Sequence, residues 1–309
     1  MKERVVQFGD GNRLVGILTE PSEHRSPRFI VVMSNVGLNH RVGPSRIWVD
    51  LARRLAALGI ASFRFDLSGL GDSAPRNNSL GDDVERAVLD LQDAMAWLAR
   101  EVGQRFVLVS LCSGTDNAHR VATSDHRVCG AVFLDGYTYS TPLFLFYRKG
   151  MRFLSLPHWR RWLVRTFPDT FGSLRGETRT AGAASEIFSR EYPSRSRFEA
   201  DLSLMVDRGA HLFFIFSGET MYAYKRQFWD WLEREDWKGQ IALEYHPRAN
   251  HTYSFRGDRE LLLAQVVDWV LSLGRSRALP ESHWAVAESS IFASPAAPVA
   301  PPLRSDLAS

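Results

Sequence analysis

Between Arg105 and His119 an apolar run, Phe-Val-Leu-Val, breaks at Ser110-Leu-Cys112-Ser-Gly114 and gives way to a segment that reads as a helix. No other stretch constrains the fold as much. A short β-branched run is a strand buried on both faces, and such strands belong to parallel sheets covered by helices. Where a chain turns sharply from strand into helix, the residues two before and two after the apex are crowded and must be small. Ser110 and Gly114 meet that condition around Cys112. A turn centred on Ser113 would put Leu111 and Thr115 at the crowded positions, and one centred on Ser110 would put Leu108 and Cys112 there. Cys112 is the best-fitting apex. A thiol at a helix start also faces the positive dipole end, which favours the thiolate. Cys112 is therefore a candidate nucleophile; an ordinary small buried residue is the reading this stretch alone leaves open.

The chain around it alternates between strand and helix patterns. Arg4 to Phe8 and Arg13 to Thr19 flank the turn-forming Gly9-Asp-Gly-Asn12 and read as an antiparallel hairpin. Phe29 to Met33 is a buried strand that ends in the loop Ser34-Asn-Val-Gly-Leu-Asn-His40. Arg46 to Leu58 has helical spacing and stops at Gly59, Ile60 to Phe65 is a strand, and Leu80 to Val102 is a long amphipathic helix. Val128 to Leu134 is a further strand ending at Asp135-Gly136. The pattern resumes with the strand His211 to Ser217, a helix from Tyr224 to Arg234, a last strand Gln240 to His246 and a closing helix Asp258 to Leu273. Regular strand and helix alternation predicts a mostly parallel central sheet with helices on both faces. Ligands in such sheets bind beyond the carboxyl ends of the strands, where Ser34, Asp66, Cys112 and Asp135 fall.

From Tyr137 to Val206 the alternation stops, and short aromatic and basic segments take over. This block is expected to be a helical cap inserted into a core made of residues 1–136 and 207–274. The Ala-, Pro- and Ser-rich tail 275–309 buries too little apolar surface to offset its ordering entropy and is expected to be disordered.

Composition removes several classes. A net charge of +3 over 309 residues is too small and diffuse to argue for nucleic acid. No apolar run approaches the roughly 20 residues of a membrane span, and the first residues lack a signal-peptide core, so a cytoplasmic location is expected. The two cysteines, Cys112 and Cys129, offer neither a disulfide framework nor metal-ligand spacing, and no metal or cofactor is expected.

Taken together, the elbow at Cys112, the Asp66-Leu-Ser-Gly-Leu-Gly-Asp-Ser73 turn and the late His251 resemble the α/β-hydrolase superfamily over residues 1 to 273. The resemblance implies that fold and a nucleophile–histidine–acid triad. His251, between the last strand and the last helix, matches the family's base. For the acid it offers Glu219, after the strand ending at Ser217, or Asp135, one strand earlier; Glu219 is slightly favoured. The implied oxyanion donors are the main-chain N–H of Ser113 and one from the loop at Val36 or Gly37, where Asn35-Val-Gly37 stands in place of the usual His-Gly pair. Asp66, Gly69, Gly71 and Ser73 are expected to shape the core turn and to take no part in chemistry.

Cysteine at this apex narrows the expected chemistry. An acyl-cysteine is itself a thioester, so exchange with a thioester substrate is nearly balanced, and onward transfer is favourable if a cap excludes water. Two superfamily branches with cysteine here are the dienelactone hydrolases and the polyhydroxyalkanoate synthases. The segments Asn35 to Arg41 and Arg64 to Ser73 are also similar to bacterial hydrolases linked to exopolysaccharide export and acyl-carrier systems. The expectation is acyl transfer or hydrolysis of an acyl thioester on coenzyme A or a carrier protein. Its phosphates or acidic surface would meet Arg148, Lys149 and Arg152, with Arg160, Arg161 and Arg165 beyond. A carboxylesterase or lactonase of the same fold and a non-catalytic binding protein are the alternatives.

Overall fold

In the strand Phe106–Leu111, side chains alternate between two apolar layers: Phe106 and Leu108 join one, and Val107, Val109 and Leu111 join the other. Both faces of the sheet are thereby covered. The computed structural model describes residues 1–22, 29–34, 37, 39–76, 82–147 and 192–275. Its strands are β1 (Lys2–Phe8), β2 (Leu14–Glu20), β3 (Ile30–Met33), β4 (Ser62–Phe65), β5 (Phe106–Leu111), β6 (Val128–Leu134), β7 (His211–Ser217) and β8 (Ile241–His246). They form an eight-stranded sheet in the order β1-β2-β4-β3-β5-β6-β7-β8. The β1–β2 and β2–β4 pairs are antiparallel, and every later pair is parallel. The hairpin and the parallel sheet expected from the sequence are both present.

The helices are α1 (Ile47–Ala57), α2 (Asp83–Glu101), α3 (Ser113–Ser124), α4 (Arg195–Asp207), α5 (Gln227–Leu232) and α6 (Arg256–Arg275). Ile47, Trp48 and Leu51 of α1 and Leu262, Val266 and Val270 of α6 cover one face. Leu91, Met95 and Leu98 of α2, Ala118 and Val121 of α3, Phe198 and Leu202 of α4 and Phe228 of α5 cover the other. Helix α2 starts three residues after Leu80, where the Asp82 carboxylate accepts from the Glu85 N–H at 2.8 Å and caps it. Helix α5 is shorter than the expected 224–234 because Glu233 takes a left-handed conformation (φ 58°) and ends it.

Helix α4 falls largely inside the block 137–206. Its Phe198, Leu202 and Met205 belong to the same apolar layer as α3. The signal was a Ser194 cap, which accepts from the Arg197 N–H, followed by apolar residues at helical spacing. Residues 148–191, the body of the expected cap, and the tail from 276 lie outside the described residues.

The Asp66 turn is a structural joint. Asp66 is fully buried and accepts from the Arg41 N–H (2.6 Å), the Arg41 guanidinium and the Asp72 N–H (3.1 Å). A Cβ at Gly71 (φ 54°) would fall 2.2 Å from that carboxylate, which accounts for the glycine. Ser73 donates to the Asp66 carbonyl (2.7 Å) and accepts from the Val15 N–H (2.9 Å), tying the turn to β2. Among the described residues no helix is long and apolar enough to cross a membrane.

Candidate active site

The β5–α3 connection is a single residue, Cys112, held at φ 56° and ψ −128°. A β-carbon is unfavourable in that region, and such strain persists only where the surroundings over-determine it. Here they do. The Cys112 N–H donates to the Leu134 carbonyl of β6 (3.0 Å), and the Cys112 carbonyl accepts from the Thr115 N–H (2.9 Å) and hydroxyl (2.5 Å). Ser110, fully buried, turns its hydroxyl to the Val132 carbonyl (3.2 Å). The apex thus falls on the residue that the crowding argument selects, with the half-buried thiol at the start of α3.

His251 follows β8 in the loop that leads to α6. Its Nδ1 lies 2.7 Å from Asp135 Oδ2, and its ring also makes a side-chain hydrogen bond to Cys112. With Nδ1 taken by the carboxylate, Nε2 is the nitrogen left to face the thiol. The hydrogen bond to Asp135 and, next, that to Cys112 raise the His251 pKa to about 10 against the opposing effect of burial. The ring is therefore held as a cation at neutral pH, between a carboxylate and a sulfur.

Asp135 terminates β6 and is itself fixed. Oδ1 accepts from the Ser217 N–H (2.6 Å), Oδ2 accepts from the Ser217 hydroxyl (2.8 Å), and its own N–H donates to the Ile215 carbonyl (2.8 Å). It is 1% exposed and sits at φ 53°. Of the two carboxylates weighed from sequence, the histidine ring meets Asp135. Glu219 accepts instead from the His251 main-chain N–H (2.9 Å), so the slight preference for Glu219 as the ring's partner is corrected. The β6–β7 register decides this: Leu134 pairs with Ile215, which brings the Asp135 side chain to the Ser217 N–H and beneath the His251 loop.

The same arrangement of sheet and helices recurs in solved structures. The Pyrococcus furiosus esterase Pf2001 superposes with a TM-score of 0.55 at 17% identity, covering 88% of this chain and 91% of its own. XC6422 from Xanthomonas campestris, described as an α/β serine hydrolase without a lid, gives 0.51 at 15% identity over 92% and 98% of the two chains. The proline iminopeptidase of Mycobacterium smegmatis gives 0.51 at 14% over 89% and 99%. This is the α/β-hydrolase fold. The sequence matches no family model and no curated protein.

In this α/β-hydrolase fold Ser113 opens α3, next to the apex, with its main-chain N–H in the free first turn. Its hydroxyl accepts a hydrogen bond from the Gly37 N–H at 3.0 Å, so of the two expected oxyanion donors the Gly37 N–H is engaged by the serine side chain. Val36 lies outside the described residues, as do Arg148, Lys149 and Arg152 and the arginines at 160, 161 and 165. The described residues contain no group of three or more His, Cys, Asp or Glu that could hold a metal. The sequence reading passed over Ser217, which carries Asp135 through two hydrogen bonds; a small polar residue ending the buried strand next to that of Asp135 was the available sign.

Proposed function

We propose that the protein transfers or hydrolyses acyl groups carried as thioesters, through an acyl-cysteine at Cys112. The observation that carries this reading is the placement of His251 between a strained apex thiol and a buried, doubly anchored Asp135. A cation held beside a thiol favours its thiolate, the nucleophilic form. The thiolate adds to the substrate carbonyl, and the Ser113 N–H receives the charge on its oxygen; the Gly37 N–H joins it on leaving the Ser113 hydroxyl. As the carbonyl re-forms, the substrate's C–S bond breaks and the departing thiolate takes the proton from His251 Nε2. In the second half an acceptor, water or a bound alcohol or amine, gives its proton to His251 and attacks the acyl-cysteine, releasing the Cys112 thiolate. Asp135 fixes the tautomer and steadies the imidazolium without taking a proton itself. The fitting substrate is an acyl thioester on coenzyme A or a carrier protein.

Intact-mass measurement after mixing with short acyl thioesters tests the reading. The expected result is one acyl adduct on the wild-type chain and none on Cys112→Ala. An adduct that survives Cys112→Ala, or no adduct with any thioester, would overturn it. Iodoacetamide provides a second readout. Cys129, buried and with its pKa raised by desolvation, should react far more slowly than Cys112. A carboxylesterase reading draws on the esterase among the structural neighbours; rapid turnover of aryl esters with water as the acceptor, and no thioester turnover, would favour it.

A further inference from the structure

A second cavity of about 460 Å³ opens between α3 and α4, on the face of the sheet that carries both helices. That volume suits a small organic molecule. Its floor is His119 of α3, whose Nε2 lies 3.0 Å from Asp201 Oδ2 of α4; both residues are buried. Its walls include Tyr137 and Tyr192, whose rings pack edge to face with centroids 5.3 Å apart. Tyr137 also stands edge-on to the His119 ring at 5.5 Å. Arg120 and Arg197 stand at its margin.

The charges at this cavity are unevenly matched. Asp201 is held from two sides, by its hydrogen bond with His119 and by Arg197, whose Nε lies 3.0 Å from Asp201 Oδ1. That oxygen has no hydrogen bond in spite of the ion pair, so the Arg197 guanidinium meets it out of alignment and keeps donors to spare. Arg120, exposed, makes no ion pair with a described residue. The cavity therefore combines an aromatic wall with two guanidinium groups and one partly neutralised carboxylate. A small void behind His119 and Tyr137, lined also by Thr115 and Gly136, has no room for a water molecule.

We infer that this cavity is a binding site, separate from the Cys112 centre, for a small amphipathic anion: a carboxylate on an aromatic or short apolar body. The carboxylate is received by Arg120 and Arg197, and the body lies against Tyr137 and Tyr192. No covalent step is involved, and the inference does not depend on the acyl-transfer reading.

Calorimetric titration of the full chain with benzoate, benzyl alcohol and inorganic phosphate tests it. Benzoate should bind saturably, with phosphate and benzyl alcohol each weaker by about tenfold or more, since one lacks the apolar body and the other the charge. Arg120→Gln, at an exposed position, should weaken benzoate by about tenfold, and Arg197→Gln should do the same. Cys112→Ala should leave the affinity unchanged. The inference is overturned if no saturable binding appears, if phosphate or benzyl alcohol matches benzoate, or if Cys112→Ala rather than Arg120→Gln removes binding.

Discussion

Gly37 and Ser113, 76 residues apart in the chain, meet through one hydrogen bond from the glycine N–H to the serine hydroxyl oxygen at 3.0 Å. The bond joins the loop after β3 to the first residue of α3. It takes up the Gly37 N–H, one of the two expected oxyanion donors. Ser113→Ala removes the acceptor and frees the loop, and the lost bond is worth about 1 kcal/mol, or roughly fivefold in rate. Steady-state kinetics on the substrate that acylates Cys112 should show a lower kcat at nearly unchanged KM. An unchanged kcat would mean that this tether of the loop does not matter to the site.

The two carboxylates near His251 differ in what they touch, and their variants should differ accordingly. Asp135→Asn loses the negative charge and one of the two oxygens that accept from Ser217 and face the ring, and should lower kcat/KM on the order of 10³-fold or more. Glu219→Gln keeps an acceptor for the His251 main-chain N–H and should cost less than about tenfold. Measuring both under one condition checks the assignment; a larger loss at Glu219 would reverse it.

Stability should depend on alkaline pH through His251. Its pKa is raised in the folded chain from 6.5 to about 10, chiefly by Asp135 and then by Cys112. A raised pKa means that the folded chain binds the proton more tightly, so the stabilisation is complete below the ordinary value and is lost as pH climbs through about 10. Urea unfolding of the wild type and His251→Gln at several pH values should show their stability difference shrinking across that window. Cys112→Ala, which removes the second cause, should move the loss to lower pH. A difference that stays constant from pH 6.5 to 10 would contradict the coupling.

Arg41 and Asp66 form a buried clamp, the arginine side chain 18% exposed and the carboxylate fully enclosed. Arg41→Met leaves that carboxylate without its cation and should destabilise the fold by about 3–5 kcal/mol. The urea midpoint should fall at unchanged m-value. Because Arg41 ends the loop that carries Gly37, kcat should fall as well, even under conditions where the variant remains folded.

The legible parts of this protein are those set by short-range sterics and periodicity. Cys112 could be named as the apex because Ser110 and Gly114 are small and the neighbouring frames place Leu111, Thr115 or Leu108 where the backbone is crowded. The strands at 128–134 and 211–217 could be bounded because buried parallel strands are continuous apolar runs. His251 could be singled out because its loop follows the last strand. Helix α4 was missed although Ser194 and the spacing of Phe198, Leu202 and Met205 announce it, since the irregular sequence before it absorbed the whole block.

The carboxylate that meets His251, by contrast, was a tertiary decision. Asp135 and His251 are 116 residues apart, and whether Asp135 or Glu219 reaches the ring depends on the β6–β7 register and on Ser217 turning the Asp135 carboxylate. The cavity between α3 and α4 has the same origin, since His119 and Asp201 meet only when two helices pack on one face of the sheet. By itself the sequence determined the parallel sheet, the strained apex at Cys112 and the late histidine, because these follow from the size and periodicity of neighbouring residues. Only the tertiary structure decided which carboxylate holds that histidine and where a second cavity opens, because those depend on strand register and helix packing between residues far apart in the chain.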